Sequence, residues 1–358
     1  MITVVEGNLL EAKVEALVNT VNTVGVMGKG IALQFKRAYP EMFREYAAAC
    51  RAGRVRLGTM HVWESATLDG PRLIINFPTK GHWRSASRID DVRSGLDDLR
   101  RVITDLDITS IAVPPLGCGN GGLDWAVVEP LIRSALDDLD HVDIRLYAPA
   151  GAPAAATMPV HTRRPAMTPS RAALIAVLDR YDRRAMGSTP IEVQKLMYFM
   201  QELGEPLRLV YTPHHYGPYA DALRHVLADM EGHYLSGYGD GSATVAEAEP
   251  IRLRDDAVGD AEAMLAAHPE TSARVDRLMD VIDGFESMYG LELLATVHWC
   301  AHHEPCAAEG PDGAIAEVQR WGRRKQRLFT EHHVTVAWEA LRAQGMLPWS
   351  AGRKAVGA

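Results

Sequence analysis

The strongest constraint on the fold is the alternation of strand and helix patterns over the first 150 residues. Runs of β-branched residues predict strands at residues 2–5, 16–18, 60–63, 73–76, 111–113 and 144–147. Between them, apolar residues at helical spacing predict helices at residues 31–52, 90–105 and 126–139. This order is typical of an α/β sheet covered by helices, in which ligands bind at the carboxyl ends of strands.

A change in composition predicts where this first domain ends. Residues 151–169 are rich in Ala, Pro and Thr and lack periodicity, as in a semi-extended linker. We therefore predict a first domain at 1–150, a linker at 151–169 and a second domain at 170–350. The second domain carries mainly helical patterns, at residues 170–184, 190–203, 219–230, 272–288, 291–300 and 314–344, with a small sheet near 207–211. Residues 352–358 are predicted to be a frayed tail.

Charge and composition exclude several classes of protein. The formal net charge of −8 argues against nonspecific coating of nucleic acid, although one nucleotide can still bind in a pocket. Four cysteines are too few and too scattered for a disulfide framework, and the first residues fit a strand better than a signal peptide. No apolar run approaches the roughly 20 residues that span a bilayer. We expect a cytoplasmic protein without membrane contact.

The first unusual loop, residues 19–30, leaves a predicted strand and enters a predicted helix. Its three glycines allow backbone amides to approach a diphosphate, and the helix terminus adds favourable partial charge. Lys29 is followed by Gly30, so the Walker spacing of ATPases fails, as does the dinucleotide fingerprint. Asn19 and Asn22 are either turn formers or groups that recognise ribose hydroxyls.

The second unusual loop, residues 114–123, also connects a strand to a helix. It has four glycines within six residues, which permits a nest of N–H groups directed at phosphate oxygens. The alternative is a flexible connection. Flexibility alone does not explain why two such loops follow predicted strands, so we favour phosphate binding.

Together these loops and the segment Val5-Glu6-Gly7-Asn8-Leu9 resemble a macrodomain over about the first 150 residues. The stretch Asn76-Phe77-Pro78-Thr79-Lys80-Gly81-His82-Trp83 is similar to one subgroup of that family. This subgroup contains the terminal ADP-ribose glycohydrolase and the DarG-like DNA ADP-ribosyl glycohydrolase antitoxins, in which a lysine at the position of Lys80 is catalytic. The resemblance implies a site that binds ADP-ribose and hydrolyses its bond to a target.

The resemblance also implies which residues form that site. Gly7, Asn8 and Leu9 would hold the adenine end, and Asn19, Thr20, Val26, Met27, Gly28, Lys29, Gly30, Pro115, Leu116, Gly117, Cys118, Gly119, Asn120, Gly121, Gly122 and Leu123 would contact the rest of the ligand. Lys80 and Asn22 would be catalytic, with Asn22 against the distal ribose. The expected chemistry needs neither a cofactor nor a metal.

Two positions depart from the patterns of the wider family. Many macrodomains have an aspartate where this chain has Asn8; an asparagine accepts a hydrogen bond but lacks the charge that strengthens it. The terminal ADP-ribose glycohydrolase has a catalytic aspartate at the position of Gly121. A mechanism with a lysine and an aspartate therefore does not transfer whole, whereas the DarG-like pattern, which lacks this acid, still fits.

Lys80 has two possible roles in hydrolysis. Its amine could attack C1″ of the distal ribose and form a Schiff-base-like intermediate, or its ammonium could stabilise the departing base or the ring oxygen. A nearby diphosphate favours the ammonium, while desolvation by Phe77 and Trp83 favours the amine. The sequence leaves both roles open.

The DarG-like resemblance implies that the substrate is ADP-ribose on thymidine in single-stranded DNA, with ADP-ribose as the product. His82, Trp83, Arg84 and Arg88 either receive a flanking nucleotide by stacking and charge or form an ordinary polar loop with one buried Trp. Two alternatives remain: an ADP-ribose reader without hydrolysis, and a hydrolase of protein-linked or O-acetyl-ADP-ribose.

In the second domain, residues 191–201 and 215–219 resemble the SocA-like antitoxin module, also called Panacea. The resemblance implies binding and neutralisation of a toxin, here a DarT-like DNA ADP-ribosyltransferase. The apolar stripe of Val193, Leu196, Met197 and Met200 is typical of core. A further cluster of histidines and cysteines has a spacing that matches no two-plus-two zinc pattern, so no metal is predicted there. The cluster consists of His298, Cys300, His302, His303 and Cys306.

Overall fold

The computed structural model describes residues 1–65, 70–185 and 187–348. Contacts divide the chain into two compact units, the first formed by Met1–Arg163 with Gly239–Ala243 and the second by Arg164–Tyr238 with Thr244–Ala358. The predicted tail at 352–358 and the last two positions of the predicted second domain, 349 and 350, lie outside the described residues. Within the described ranges, every helix is too short or too polar to cross a membrane.

A six-stranded mixed sheet forms the centre of the first unit, in the order β1-β6-β5-β2-β4-β3. The strands are β1 (Ile2–Val5), β2 (Ala16–Asn22), β3 (His61–Glu64), β4 (Leu73–Lys80), β5 (Ser110–Val113) and β6 (Asp143–Tyr147). Only β3 is antiparallel to its neighbour, β4, among the pairs of this sheet. The predicted α/β class is confirmed, and β2 and β4 each extend four residues beyond their predicted ends.

Helices cover both faces of this sheet because successive strand residues face opposite cores. The helices are α1 (Gly30–Ala38), α2 (Pro40–Arg51), α3 (Ile89–Asp105) and α4 (Trp125–Leu136). Leu17 and Ile74 pack in the core with α1 and α2, whereas Val18 and Ile75 pack in the core with α3 and α4. The single helix predicted at 31–52 is two helices, because Pro40 has no N–H and disfavours helical geometry at the residue before it.

The predicted linker at 151–169 needs correction, because its first part packs within the first unit. Residues Ala155–Thr157 form a short 3-10 turn, and the Ala155 and Met158 side chains are buried. The His161 N–H donates to the Arg37 carbonyl oxygen at 2.8 Å. The division between units falls after Arg163. The composition of this stretch resembles that of a linker, because only a few of its residues are buried in the first unit or hydrogen-bonded to it.

The second unit is mostly helical, as predicted. Its helices are α5 (Pro169–Asp182), α6 (Pro190–Glu202), α7 (Asp221–Met230), α8 (Ala257–Leu265), α9 (Pro269–Val281), α10 (Met288–His303), α11 (Pro305–Glu309), α12 (Pro311–Arg320), α13 (Arg323–Leu328) and α14 (Glu331–Ala343). Two small antiparallel pairs join β7 (Thr212–His214) to β8 (Gly217–Tyr219) and β9 (Leu235–Ser236) to β10 (Arg252–Leu253). The strand predicted at 207–211 is thus replaced by β7, and α8 was not predicted.

Candidate functional site

Two predicted catalytic residues lie side by side at the carboxyl edge of the sheet. In the parallel pairing of β2 with β4, Asn22 is the register partner of Lys80, after an irregularity between Val21 and Asn22. The first glycine loop begins where β2 ends, and the second glycine loop follows β5, the other neighbour of β2. The strand order therefore brings Asn22 and Lys80, 58 positions apart in sequence, to the same end of the sheet as both glycine loops. We call this end of the sheet the mouth.

Lys80 connects the end of β4 to the second glycine loop. Its ammonium Nζ donates to the backbone oxygen of Asn120 at 2.8 Å, and its side chain is partly buried. This burial lowers the pKa of Lys80 below the ordinary lysine value. Lys80 therefore carries more free amine at a given pH than a fully solvated lysine does.

Asn22 organises the first glycine loop. Its side-chain oxygen accepts from the N–H groups of Val24, at 3.1 Å, and Val26, at 3.3 Å, and its amide donates to the Val26 oxygen at 2.6 Å. The Tyr46 hydroxyl donates to the Asn22 backbone oxygen, and only 5% of Asn22 is exposed. These bonds occupy the side chain that was predicted to contact the distal ribose. In this structure the Asn22 side chain therefore holds the backbone of the first glycine loop in place next to Lys80.

Asn19 is fully buried, and its predicted contact with the ligand stays a prediction. Its amide donates to the side-chain oxygen of Asn76 on β4 at 2.9 Å, and the two residues are register partners. The Asn76 amide also lies 3.2 Å from Nδ1 of His61 on β3. This polar bridge crosses three strands below the mouth, so Asn19 supports the strands that carry the site.

The second loop requires glycine at particular positions. Gly117 and Gly122 have φ of +73° and +76°, in the left-handed region that favours glycine. A Cβ on Gly121 would lie 2.2 Å from Ser87 Oγ and 2.4 Å from the Gly117 oxygen. The Ser87 N–H also donates to the Gly121 oxygen at 2.9 Å. No side chain fits at Gly121 in this geometry, which gives a physical reason for the missing aspartate.

The two glycine loops approach each other directly. A Cβ on Gly30, whose φ is +63°, would lie 2.8 Å from the Asn120 amide nitrogen. The loops lead into the N-termini of α1 and α4, where N–H groups favour anions. The Gly30 N–H is already used, since it donates to the Asp240 oxygen at 3.2 Å within the first unit. The two loops thus line one surface, and the Gly30 N–H points toward Asp240 rather than toward that surface.

The other residues predicted to contact the ligand differ in how exposed they are. Exposed positions are Gly7, Val26, Gly28, Lys29, Gly119, Asn120 and Gly122, and partly exposed ones are Asn8, Thr20, Pro115, Cys118 and Leu123. The side chains of Leu9, Met27 and Leu116 are buried in the core, so these residues can offer only backbone atoms. Burial raises the pKa of Cys118 to about 11, so its thiol stays protonated.

Asn8, predicted at the adenine end, is committed to local structure. Its side-chain oxygen accepts from the Leu10 N–H at 3.0 Å and caps a 3-10 turn. Its amide donates to the Thr157 oxygen at 3.2 Å. Asn8 thus fastens the segment after residue 150 to the loop after β1.

An exposed aromatic and basic patch follows Lys80 directly. Trp83 is 45% exposed, which corrects the alternative of one buried Trp. The His82 ring stacks on the Trp83 ring at 5.3 Å between centroids, and the Arg84 guanidinium lies 4.4 Å from the indole centroid. Arg88 is exposed at the start of α3. We call His82, Trp83 and Arg84 the aromatic patch.

In the second unit, the two halves of the predicted antitoxin motif meet. Lys195 on α6 is fully buried, and its Nζ donates to the Pro218 oxygen on β8 at 2.6 Å. Gln194 forms two hydrogen bonds with the backbone of Ala220, each at 3.0 Å. Burial, followed by the charge of Lys325, lowers the pKa of Lys195 to about 7. The apolar stripe of α6 is buried as predicted. The residues of the motif therefore contribute to the packing of the second unit.

A charged cluster beside this motif was not predicted. Glu292 on α10 accepts from Lys325 Nζ at 2.6 Å and from Arg324, and only 1% of the Glu292 and Lys325 side chains is exposed. Lys325 also donates to Thr296 Oγ1 at 3.0 Å. The sequence does not predict this cluster, because its members lie about 30 residues apart and no local pattern links α10 to α13.

This chain is similar to known proteins over nearly its full length. The Macro domain family model matches residues 18–132. A DNA ADP-ribosyl glycohydrolase of Mycobacterium tuberculosis is 48% identical over 353 residues, covering 95% of this chain and 99% of the relative. This chain belongs to the DNA ADP-ribosyl glycohydrolase family. A family member from Thermus aquaticus is 46% identical over 347 residues, covering 97% of this chain and 94% of the relative.

A more distant relative combines two activities in its name. It is a DNA ADP-ribosyl transferase-DNA ADP-ribosyl glycohydrolase fusion protein of Thermosipho africanus, 33% identical over 163 residues. The match covers 41% of this chain and 42% of the fusion protein. The macrodomain prediction for the first unit is confirmed by the family match, and the SocA-like resemblance of the second unit stays a prediction.

Proposed function

We propose that this member of the DNA ADP-ribosyl glycohydrolase family removes ADP-ribose from thymidine in single-stranded DNA. The observation that carries the proposal is the position of Lys80, which is paired with Asn22 in register and bonded to Asn120 of the second glycine loop. An amine at this mouth lies where two helix N-termini favour a diphosphate. The name shared by the nearly full-length relatives supports DNA as the target.

Two hydrolytic routes use Lys80 differently. In the first, its free amine adds to C1″, the bond from C1″ to the thymine nitrogen breaks, and the base leaves with a proton from solvent. The sugar ring opens to a protonated imine, and water hydrolyses this imine to release ADP-ribose and the amine. In the second, the ammonium stabilises the departing base while water attacks C1″. The lowered pKa of Lys80 supports the first route.

The aromatic patch suits a nucleotide next to the modified thymidine. A base can pack against the exposed indole of Trp83, and Arg84 can pair with a phosphate. The patch begins two residues after Lys80. A single-stranded substrate fits this arrangement, because stacking requires an unpaired base.

The second unit is proposed to bind and neutralise a DarT-like DNA ADP-ribosyltransferase toxin. The Thermosipho africanus fusion supports this pairing, since its name places a transferase and a glycohydrolase in one chain. An acidic chain, with a formal net charge of −8, is suited to a partner whose surface binds DNA. A cytoplasmic location belongs to the same proposal, because the substrate is cellular DNA and all four cysteines are free.

The first test measures ADP-ribose release from a thymidine-modified single-stranded oligonucleotide. We expect release by the full chain and loss with Lys80→Ala. The matched control is Lys13→Ala, since Lys13 is exposed and lies before the start of β2, at the opposite edge of the sheet. Retained release with Lys80→Ala, or equal loss with Lys13→Ala, would contradict the proposal. Binding of ADP-ribose without any release would favour a reader.

A second experiment separates the two routes. Sodium borohydride reduces an imine to a stable amine, so the first route predicts a covalent adduct on the peptide containing Lys80, detected by mass spectrometry. Lys80→Arg keeps the positive charge but cannot form the imine. Partial activity in Lys80→Arg without an adduct in the wild type would identify the electrostatic route.

Toxin binding is tested with the inactive Lys80→Ala full chain. If the second unit neutralises the toxin, this variant still inhibits DNA ADP-ribosylation by a DarT-like transferase when the two are mixed. A transferase that remains fully active in a molar excess of the variant would refute toxin capture and leave the glycohydrolase proposal intact.

A further inference from the structure

Two helices of the second unit present metal-binding side chains to one point. On α10, His298 and His302 are four residues apart and share one face of the helix. On α6, the last residue is Glu202. One ligand atom from each of these three side chains lies within 4.8 Å of the other two.

The surroundings orient this group. Nδ1 of His298 lies 2.7 Å from the hydroxyl of Tyr198, which is four residues before Glu202 on α6. The hydrogen bond fixes the ring and leaves Nε2 as the other nitrogen, an arrangement that metal-binding histidines share. His298 is buried, with 1% of the residue exposed, so the packing around it holds the ring in place.

The carboxylate of Glu202 is available to a metal ion. Among the described residues, no hydrogen bond or ion pair engages the carboxylate of Glu202. Nε2 of His302 lies 2.9 Å from the backbone oxygen of Met346, three residues after the end of α14. In this structure the carbonyl accepts a hydrogen bond from that nitrogen, so zinc at the site would replace the bond, with the Met346 oxygen near the fourth position.

We propose that Glu202, His298 and His302 form a zinc-binding site in the second unit. Two imidazoles and one carboxylate match the donor set that zinc accepts in proteins, with water or a carbonyl at the fourth position. Bonds of about 2.0–2.2 Å hold tetrahedral ligand atoms roughly 3.4 Å apart. The exposed side chains of Glu202 and His302 can rotate to reach this spacing.

The site differs from the His and Cys cluster at residues 298–306. Cys300 and Cys306 take no part, since Cys300 is buried in the core and Cys306 bonds to Glu317. The third ligand comes from α6, 96 residues before His298, and no spacing pattern reveals it. Bound zinc would join α6, α10 and the segment after α14, so we infer a stabilising role.

The test titrates the full chain, stripped with a chelator and dialysed, with zinc chloride in a calorimeter. We expect one equivalent to bind, and a loss of affinity of more than tenfold with His302→Ala and with Glu202→Gln. The matched control is His303→Ala, since His303 is the next residue of α10, is exposed, and bonds to the Trp299 oxygen of its own helix. This variant keeps the wild-type affinity.

Thermal unfolding gives an independent readout. Zinc chloride raises the melting temperature of the wild type, whereas magnesium chloride does not, because magnesium prefers oxygen ligands. The rise disappears in His302→Ala and in Glu202→Gln. Absence of stoichiometric binding, or binding that both variants retain, overturns the proposal. Both substituted side chains are exposed, so these variants are expected to fold.

Discussion

Lys80 and Lys195 make the same kind of bond in the two units and differ in their surroundings. Each lysine donates from Nζ to a backbone oxygen, Lys80 to Asn120 and Lys195 to Pro218, and each has a pKa lowered by burial. Lys195 is fully buried, while Lys80 is partly exposed at the sheet edge. An amine with one open side can meet a substrate, whereas an enclosed amine can only hold its neighbours.

The contrast extends to the charges around each lysine. Burial alone lowers the pKa of Lys80, whereas the cation Lys325 and the anion Glu292 both act on Lys195. A buried charged cluster is costly unless it is complete. We therefore expect substitutions near Lys195 to change stability, and substitutions near Lys80 to change activity.

The largest expected effect is on stability, from Glu292→Gln. The substitution leaves Lys325 and Arg324 without their anion in a buried setting, which costs about 3–5 kcal/mol. Urea unfolding should show this loss, while ADP-ribose release by the folded protein stays near wild type. Glu262→Gln on α8 is the control, because Glu262 is exposed. A loss below about 1 kcal/mol would break the comparison.

The next effect is on activity, from the same substitution made at both lysines. Lys80→Met is expected to reduce turnover by about 100-fold, or about 2.7 kcal/mol, which is typical of losing a group that acts on the transition state. Its unfolding free energy should change by less than about 0.5 kcal/mol. Lys195→Met should leave turnover unchanged. Equal turnover in the two variants would show that Lys80 has no special role.

A smaller effect is expected from Gly121→Ala. The new methyl would overlap Ser87 Oγ and the Gly117 oxygen, and the loop that supplies the Asn120 oxygen must shift. Overpacking of this kind costs about 1–3 kcal/mol. Gly119→Ala is the matched control, since nothing lies within 4 Å of a Cβ there. Thermal unfolding of both variants checks the contrast, and similar melting temperatures would contradict it.

The last prediction is a pH dependence of stability that comes from Lys195. Its pKa is about 7 when folded and near 10.5 when unfolded, so the unfolded chain holds more protons between these values. Stability from this group therefore rises with pH across that window, by up to about 1.4 kcal/mol per pH unit, and is constant below it. Lys195→Met removes this contribution. Urea unfolding from pH 6 to 10 should show a difference between the two proteins that grows with pH; parallel curves would contradict the assignment.

The sequence predicted the elements of the first unit well, because each carries a local signal. Strands in the sheet alternate between two cores, whereas the break between α1 and α2 was not predicted, although Pro40 marks it. The ends of β2 and β4 were predicted four residues short, since polar Asn22 and Lys80 do not resemble strand residues. Those strand ends carry the candidate site.

The candidate site was predicted in its members but not in their contacts. The glycine loops and Lys80 follow from motifs, whereas the bridge from Asn19 to Asn76 depends on pairing between distant strands. The bond from Lys80 to Asn120 and the buried cluster at Glu292 could not be predicted for the same reason. Such contacts arise from the topology of the chain, which residue spacing alone does not encode.

The crowding at Gly121 has an evolutionary consequence. A lineage that began with this loop could not gain an acidic side chain there by one substitution, because Ser87 and the Gly117 backbone occupy its place. At least the neighbouring serine and the path of the loop would have to change together, and each intermediate would carry a distorted loop. If Lys80 is catalytic as proposed, an additional acid at position 121 would therefore require Ser87 and the loop to change together.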